Sequence, residues 1–165
     1  MFQFNICEVE PDDYEAVLAI LNYEITNKTS NFSYTPLSLD EMSKEIESKK
    51  ELGFPFLVAK REGIVLGFGT YGKFRPREGY KQTIEHSIYV SEEAQGKKVG
   101  KALFQELRVD AATQGYKSMI AVIGDENDGS IHFHTKLGFS FCGRIPGVAN
   151  KFNRDLNVVI MQLFL

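Results

Sequence analysis

The sequence predicts an α/β fold on a mixed sheet, and three observations carry that expectation. Apolar residues recur at helical spacing in several segments. Short β-branched and aromatic runs lie between them. Their order, β-α-α-β-β-β-α-β-α-β-β, is neither a repeating βα array nor an antiparallel meander. Over 165 residues, with no repeat, low-complexity tract or linker, it reads as one domain spanning 1–165.

The elements follow in order. Phe4 to Val9 reads as a first strand, and Pro11 falls where a first helical turn tolerates proline. Tyr14, Val17, Leu18, Leu21 and Ile25 then recur at helical spacing, and the polar stretch TNKTSNFSYTP reads as a loop. Ser38 with Glu41 has the form of a capping box, opening a helix striped by Leu39, Met42 and Ile46 and stopped before Gly53. Strands are expected over 54–60, 64–74 and 83–90, with Glu62-Gly63 as a hairpin turn between the first two. A glycine-bearing loop and a long helix follow, stopped at Gly115. A strand over 118–124, a short helix over 130–137 and strands over 139–145 and 156–165 complete the chain.

Composition narrows the function. Hydrophobic residues at 43% and charged residues at 25% are ordinary globular values. A net charge of −3 argues against nucleic acid as a partner. The apolar runs are too short for a membrane helix, which needs about 20 residues, and MFQFNICEVEPDD has no signal-peptide pattern. Cys7 and Cys142 match no metal spacing; each is expected as a buried free thiol, in a cytoplasmic protein that uses no metal.

Four segments could carry chemistry. Gln95-Gly96-Lys97-Lys98-Val99-Gly100-Lys101 lies between a strand and a helix. A helix start there leaves unpaired backbone N–H groups, and glycines admit a close approach, so the segment suits a pyrophosphate. A solvated lysine-rich helix start is an equal reading, because neither P-loop nor dinucleotide spacing is present.

Glu85 lies within TIEHSIYV, where a strand sets Thr83, Glu85, Ser87 and Tyr89 on one face and Ile84, His86, Ile88 and Val90 on the other. A partly desolvated glutamate there would make a general base; a salt-bridged or solvent-facing one is the plainer alternative. His86 reads as a satisfied core histidine. Ser130 and His134 share a helix face, and histidine is a natural proton shuttle, although a structural histidine is the commoner case. Arg75-Pro76-Arg77 precedes the glutamate strand, and paired arginines suit an acid group on a substrate; an exposed basic loop is the alternative.

In this order the segments resemble the GCN5-related N-acetyltransferase (GNAT) superfamily. Gln95 to Gly100 matches its signature Gln/Arg-x-x-Gly-x-Gly/Ala, with Lys98 standing in the first glycine position. NDGSIHFHTKLGF resembles the superfamily's N-x-x-S-x-x-x-[Y/H]-x-K-x-G-F segment, and RPREGYKQTIEHSIYV the phosphinothricin and methionine sulfoximine acetyltransferase branch. NYEITNKTSNFSYTP resembles the branch's substrate-side loop. Its C-terminal strand resembles NKFNRDLNVVIMQLFL, except that Asp155 stands for an expected tryptophan and Asn157 for an expected acid.

The resemblance implies a sheet with a V-shaped splay between two parallel strands, helices on both faces, acetyl-CoA as co-substrate and a homodimer. Ile88, Tyr89 and Val90 would pair with the pantetheine amides. Gln95, Gly96, Lys97, Lys98, Val99, Gly100 and Lys101 would hold the pyrophosphate, and Asn127 and Ser130 would add contacts. One N–H of the Ile88–Val90 run would polarise the thioester carbonyl. The substrate would be a small amine gripped by Arg75, Pro76 and Arg77, with Glu85 as base and His134 as relay or acid. A lysine at 98 is expected to supply its N–H with φ negative. Two rivals stand beside this reading: a protein N-terminal acetyltransferase and a non-catalytic acyl-CoA sensor.

Overall fold

The computed structural model describes residues 2–165. The strands are β1 (Asn5–Glu8), β2 (Phe56–Arg61), β3 (Ile64–Lys73), β4 (Thr83–Val90), β5 (Ser118–Gly124), β6 (Ser140–Lys151) and β7 (Arg154–Phe164). The helices are α1 (Tyr14–Asn27), α2 (Leu39–Glu51), α3 (Val99–Thr113) and α4 (Asp128–Lys136). The seven strands form one sheet in the order β1-β2-β3-β4-β5-β7-β6. The β4–β5 pair is parallel and the rest are antiparallel.

Local chemistry explains most of these elements. The α2 capping box forms: the Glu41 amide donates to Ser38 Oγ at 3.2 Å, and the Ser38 amide to Glu41 Oε2 at 2.7 Å. Glu62 and Gly63 both take positive φ, 51° and 80°, the geometry that matches a two-residue turn to strand twist. Tyr14, Val17, Leu21 and Ile25 bury one α1 face, and Met42 and Ile46 bury that of α2. Leu39 and Leu18 do not join the fully buried set; Leu39, the first residue of α2, is 40% exposed.

Two apolar cores clamp the sheet. One, beneath α1 and α2, gathers Val17, Ile25, Met42, Ile46, Phe56 and Phe68. The other, beneath α3 and α4, gathers Leu103, Phe104, Leu107, Met119, Phe139 and Met161. Helices therefore cover both faces, as expected.

Two expectations are corrected. The last two strands run longer than 139–145 and 156–165, because β6 continues past Pro146 and Gly147 through a register shift between Ile145 and Ala149. An edge strand tolerates such a bulge and a proline lacking N–H. The thiols are not both buried: Cys142 is exposed beside another β6 irregularity, and Cys7 is half-buried. Separately, no helix among the described residues is long and apolar enough to cross a membrane.

Candidate active site

The site begins where the two parallel strands part. β4 and β5 pair only at Thr83–Ser118, Ile84–Met119 and Glu85–Ile120. Beyond that point His86 to Val90 and Ala121 to Gly124 run without pairing each other. β4 stays laddered to β3 and β5 to β7. The gap is therefore held open by strands anchored on their outer sides. It forms a cleft of about 680 Å³. Its lining takes His86, Ile88 and Val90 from one face of β4 and Ser87 and Tyr89 from the other, so it passes through the sheet.

At one end lies the glycine loop. Gln95, Gly96, Lys98, Val99, Gly100 and Lys101 line the cleft. Gly96 and Lys98 take φ of 74° and 67°, and α3 makes its first backbone bond from the Ala102 amide to the Lys98 carbonyl, 3.1 Å. The amides at the head of α3 thus remain uncommitted inside the helix, an arrangement chemically suited to an anion. Lys98 does not keep a negative φ: it takes the left-handed conformation a glycine would adopt there, at a cost of about 1 kcal/mol. Lys97 leaves the cleft, its ammonium 4.6 Å from the Phe2 ring.

Asn127 and Ser130 line the same cleft at the head of α4, where Asn127 Oδ1 accepts the Ser130 amide at 3.0 Å. That bond caps the helix. One turn on, His134 turns to the sheet. Its Nδ1 lies 2.7 Å from the Ser130 carbonyl and 3.3 Å from Ser130 Oγ, and its Nε2 lies 3.1 Å from His86 Nε2. A carbonyl only accepts, so His134 donates from Nδ1 and receives from the His86 Nε2–H. His86 is left with a buried Nδ1 that has no partner, so it is not the satisfied core histidine the sequence suggests. Burial, with the neighbouring His134, drives the His86 imidazole down to about 3. His134 is also lowered, chiefly by desolvation, so both rings are neutral near pH 7.

Glu85 lies at the foot of the gap, on the α1/α2 face, and is not itself among the cleft's lining residues. Its carboxyl is raised above the ordinary glutamate range by burial, against the opposing pull of Arg75 and Lys49. Arg75 is close enough for its charge to act on Glu85. Arg75 stacks on Phe74, 4.2 Å from the ring centroid. Arg77 is exposed, its carbonyl starting the Glu78–Tyr80 turn by accepting the Tyr80 amide at 3.0 Å. Pro76 is exposed between them.

Within the segment read as a substrate-side loop, sequence reasoning did not single out Glu24 and Ser30, which line the cleft from the α1 side and hydrogen-bond each other. It also missed how their loop is held. Lys151, buried in the β6–β7 hairpin, donates from Nζ to the Lys28 and Asn31 carbonyls at 2.7 and 2.5 Å. Tyr34 Oη donates to the Asn150 carbonyl at 2.6 Å. Contacts 120 or more residues apart leave no local signal. Asn157, where an acid was expected, accepts the Gly147 amide and donates to Asp125, bracing this hairpin.

Comparison with known proteins identifies the family of the fold. Residues 19–139, well over half the chain, match the acetyltransferase (GNAT) family. An L-methionine sulfoximine/L-methionine sulfone acetyltransferase of Pseudomonas aeruginosa is 40% identical over 154 residues, 93% of this chain and 90% of that protein. Among solved structures, a ribosomal-protein-alanine N-acetyltransferase from Brucella melitensis is 37% identical. It superposes with a TM-score of 0.96 over 98% of this chain and 99% of its own. A phosphinothricin acetyltransferase from Sinorhizobium meliloti, in complex with AcCoA, is 33% identical with a TM-score of 0.95, over 99% of this chain and 89% of its own.

Proposed function

The chain belongs to the acetyltransferase (GNAT) family, and on that premise we propose that it acetylates the amine of a small acid-bearing molecule, such as methionine sulfoximine, methionine sulfone or phosphinothricin. One observation carries the reading: a cleft through the sheet joins an anion-binding helix start on one face to the face that bears Glu85.

The residues present fit acetyl-CoA. Uncommitted amides at Gly96 and Lys98 to Lys101 suit a pyrophosphate, and the β4 edge from Ile88 to Val90, unpaired on its β5 side, suits the amides of an extended arm. Acetyl-CoA, when bound, would supply the acetyl group, its sulfur leaving as a thiolate that takes up the second proton lost by the amine. Glu85 takes the proton from the arriving ammonium, directly or through a water, and its raised carboxyl suits that task near neutral pH. Arg75 orients the substrate's acid group, so the amine is aimed before it reacts. His134 is supported as a relay rather than a direct acid, because both its nitrogens face protein groups and Nδ1 lies beside the Ser130 hydroxyl.

The free thiols suit a reducing, cytoplasmic setting. Self-association into a homodimer is supported by the outermost strand β6, which exposes Phe141, Ile145 and Val148.

The test follows free CoA released from acetyl-CoA against phosphinothricin, methionine sulfoximine, methionine sulfone, free amino acids and short peptides. Turnover on an acid-bearing amine is expected. Turnover on peptides alone would transfer the reading to protein N-terminal acetylation, and binding without turnover would make the chain a sensor.

A further inference from the structure

Lys49 sits in the last turn of α2, beside Lys50. A lysine there ordinarily reaches into water and complements the helix dipole. Lys50 behaves so, pairing with Glu47 at 3.4 Å. Lys49 instead lies against the sheet, its Nζ donating to the Tyr71 carbonyl at 3.1 Å.

The neighbouring glycine defines where the ammonium sits. A Cβ placed on Gly72 would fall 3.1 Å from Lys49 Nζ, and Gly72 is the β3 residue paired with Glu85 across to β4. The ammonium therefore lies over the strand pair that carries Glu85, on the same face. Among the described residues it joins no ion pair, and neither does Glu85 or Arg75. Its strongest attractions are to Glu45 and Glu85, and desolvation lowers its affinity for a proton.

A half-buried cation with no direct counter-ion costs stability, which a structural lysine would avoid by reaching solvent. Glu45, which also draws Lys49, is exposed on α2 and screened by water. Two cations, Lys49 and Arg75, and the half-buried carboxylate of Glu85 lie near the foot of the cleft without pairing. That charge pattern is the complement of an amino acid zwitterion: the carboxylate receives an ammonium, and the cations receive an acid group.

We propose that Lys49 is a substrate-binding residue which, with Arg75, holds the carboxylate of an α-amino acid whose amine meets Glu85. It takes the place the sequence pattern gave to Arg77, and it rests on the acetyl-transfer reading above. The substrate class narrows accordingly to amines bearing an adjacent carboxylate.

The test compares methionine sulfone with its decarboxylated amine, 3-(methylsulfonyl)propylamine, in the wild type, Lys49→Met, Lys49→Arg and Gly72→Ala. Loss of one charge-assisted contact should cut the selectivity for the acid-bearing amine, as a ratio of kcat/KM values, by about 10- to 100-fold in Lys49→Met. Lys49→Arg should restore most of it. Gly72→Ala keeps the charge and displaces only the flexible end of the lysine, so a smaller loss in the same ratio is expected. A fall that is equal for both amines would make Lys49 merely structural and overturn the proposal. An unchanged ratio in all three variants would overturn it as well. Wild-type silence on both amines would instead bring down the acetyl-transfer reading itself, and this inference with it.

Discussion

The two faces of β4 are built on opposite physical terms. Even-numbered side chains, His86, Ile88 and Val90, face the core under α3 and α4, where His86 packs among Phe104, Phe139 and His134. Odd-numbered ones, Glu85, Ser87 and Tyr89, face α1 and α2, where Glu85 meets the fields of Arg75 and Lys49. On the first face both ionisable rings are held neutral. On the second, charges are kept apart and uncompensated by direct contact. The difference teaches which face can do proton chemistry on an incoming amine. A charge-bearing, half-exposed face can accept a proton and recognise ions; a face of neutral rings can position groups or pass a proton along, but holds no charge to bind an ion.

The largest expected effect breaks this contrast at its charged side. Glu85→Gln keeps shape and removes the proposed base, so kcat/KM should fall by about 10²- to 10³-fold. The acid limb of the wild-type kcat/KM profile should lie above the ordinary glutamate range, because burial raises the carboxyl. Melting temperature should hold, since the carboxylate forms no ion pair that the amide would break. A variant that retains full turnover would move the base elsewhere, and Glu24 at the cleft wall would be the next carboxylate to test.

The neutral face makes its own prediction, about stability and pH. His86 is lowered to about 3 when folded, whereas an unfolded histidine titrates near 6.5. Between these values the unfolded chain binds more protons, so stability is complete above about 6.5 and drains away as pH falls toward 3. By pH 5 the loss from His86 alone is about 2 kcal/mol. Lowering of His134 adds loss in the same direction. Urea melts at pH 7.5, 6 and 5 would measure the slope. His86→Phe should flatten it, even though the variant strips His134 Nε2 of its donor and is less stable at neutral pH. A wild-type slope no steeper than that of the variant would mean the pair titrates normally.

How much of this was legible in the sequence depended on whether the cause was local. The α2 capping box, the Glu62-Gly63 turn and the strand over 83–90 are short-range devices, and each was readable. The alternation that separates Glu85 from His86 was readable for the same reason. What could not be read was placed by tertiary contact. Lys49 looks like any lysine at a helix end until α2 docks beside Gly72. The His86–His134 pair joins residues 48 apart, and Lys151 reaches the Lys28 carbonyl across 123. Arg77 was read from its proximity in sequence to Arg75, and it stands exposed at the start of the Glu78–Tyr80 turn.

The smallest expected effect separates backbone from charge at the cleft's other end. Lys98 sits in the left-handed region with an exposed side chain, and its amide lies in the concavity before α3. If the amides do the binding, the ammonium is a weak, screened addition, and Lys98→Gly should change the KM for acetyl-CoA by no more than about 3-fold. The same variant removes about 1 kcal/mol of backbone strain. Part of that is offset by the extra freedom glycine gives the unfolded chain. The net result should be a small rise in melting temperature. Raised salt should likewise weaken acetyl-CoA binding only modestly, and equally in both proteins. A 10-fold loss of affinity confined to low salt would show that lysine charge does the work of the missing glycine. The two ends of the cleft would then recognise their ligands by the same means, and the contrast between them would fail there.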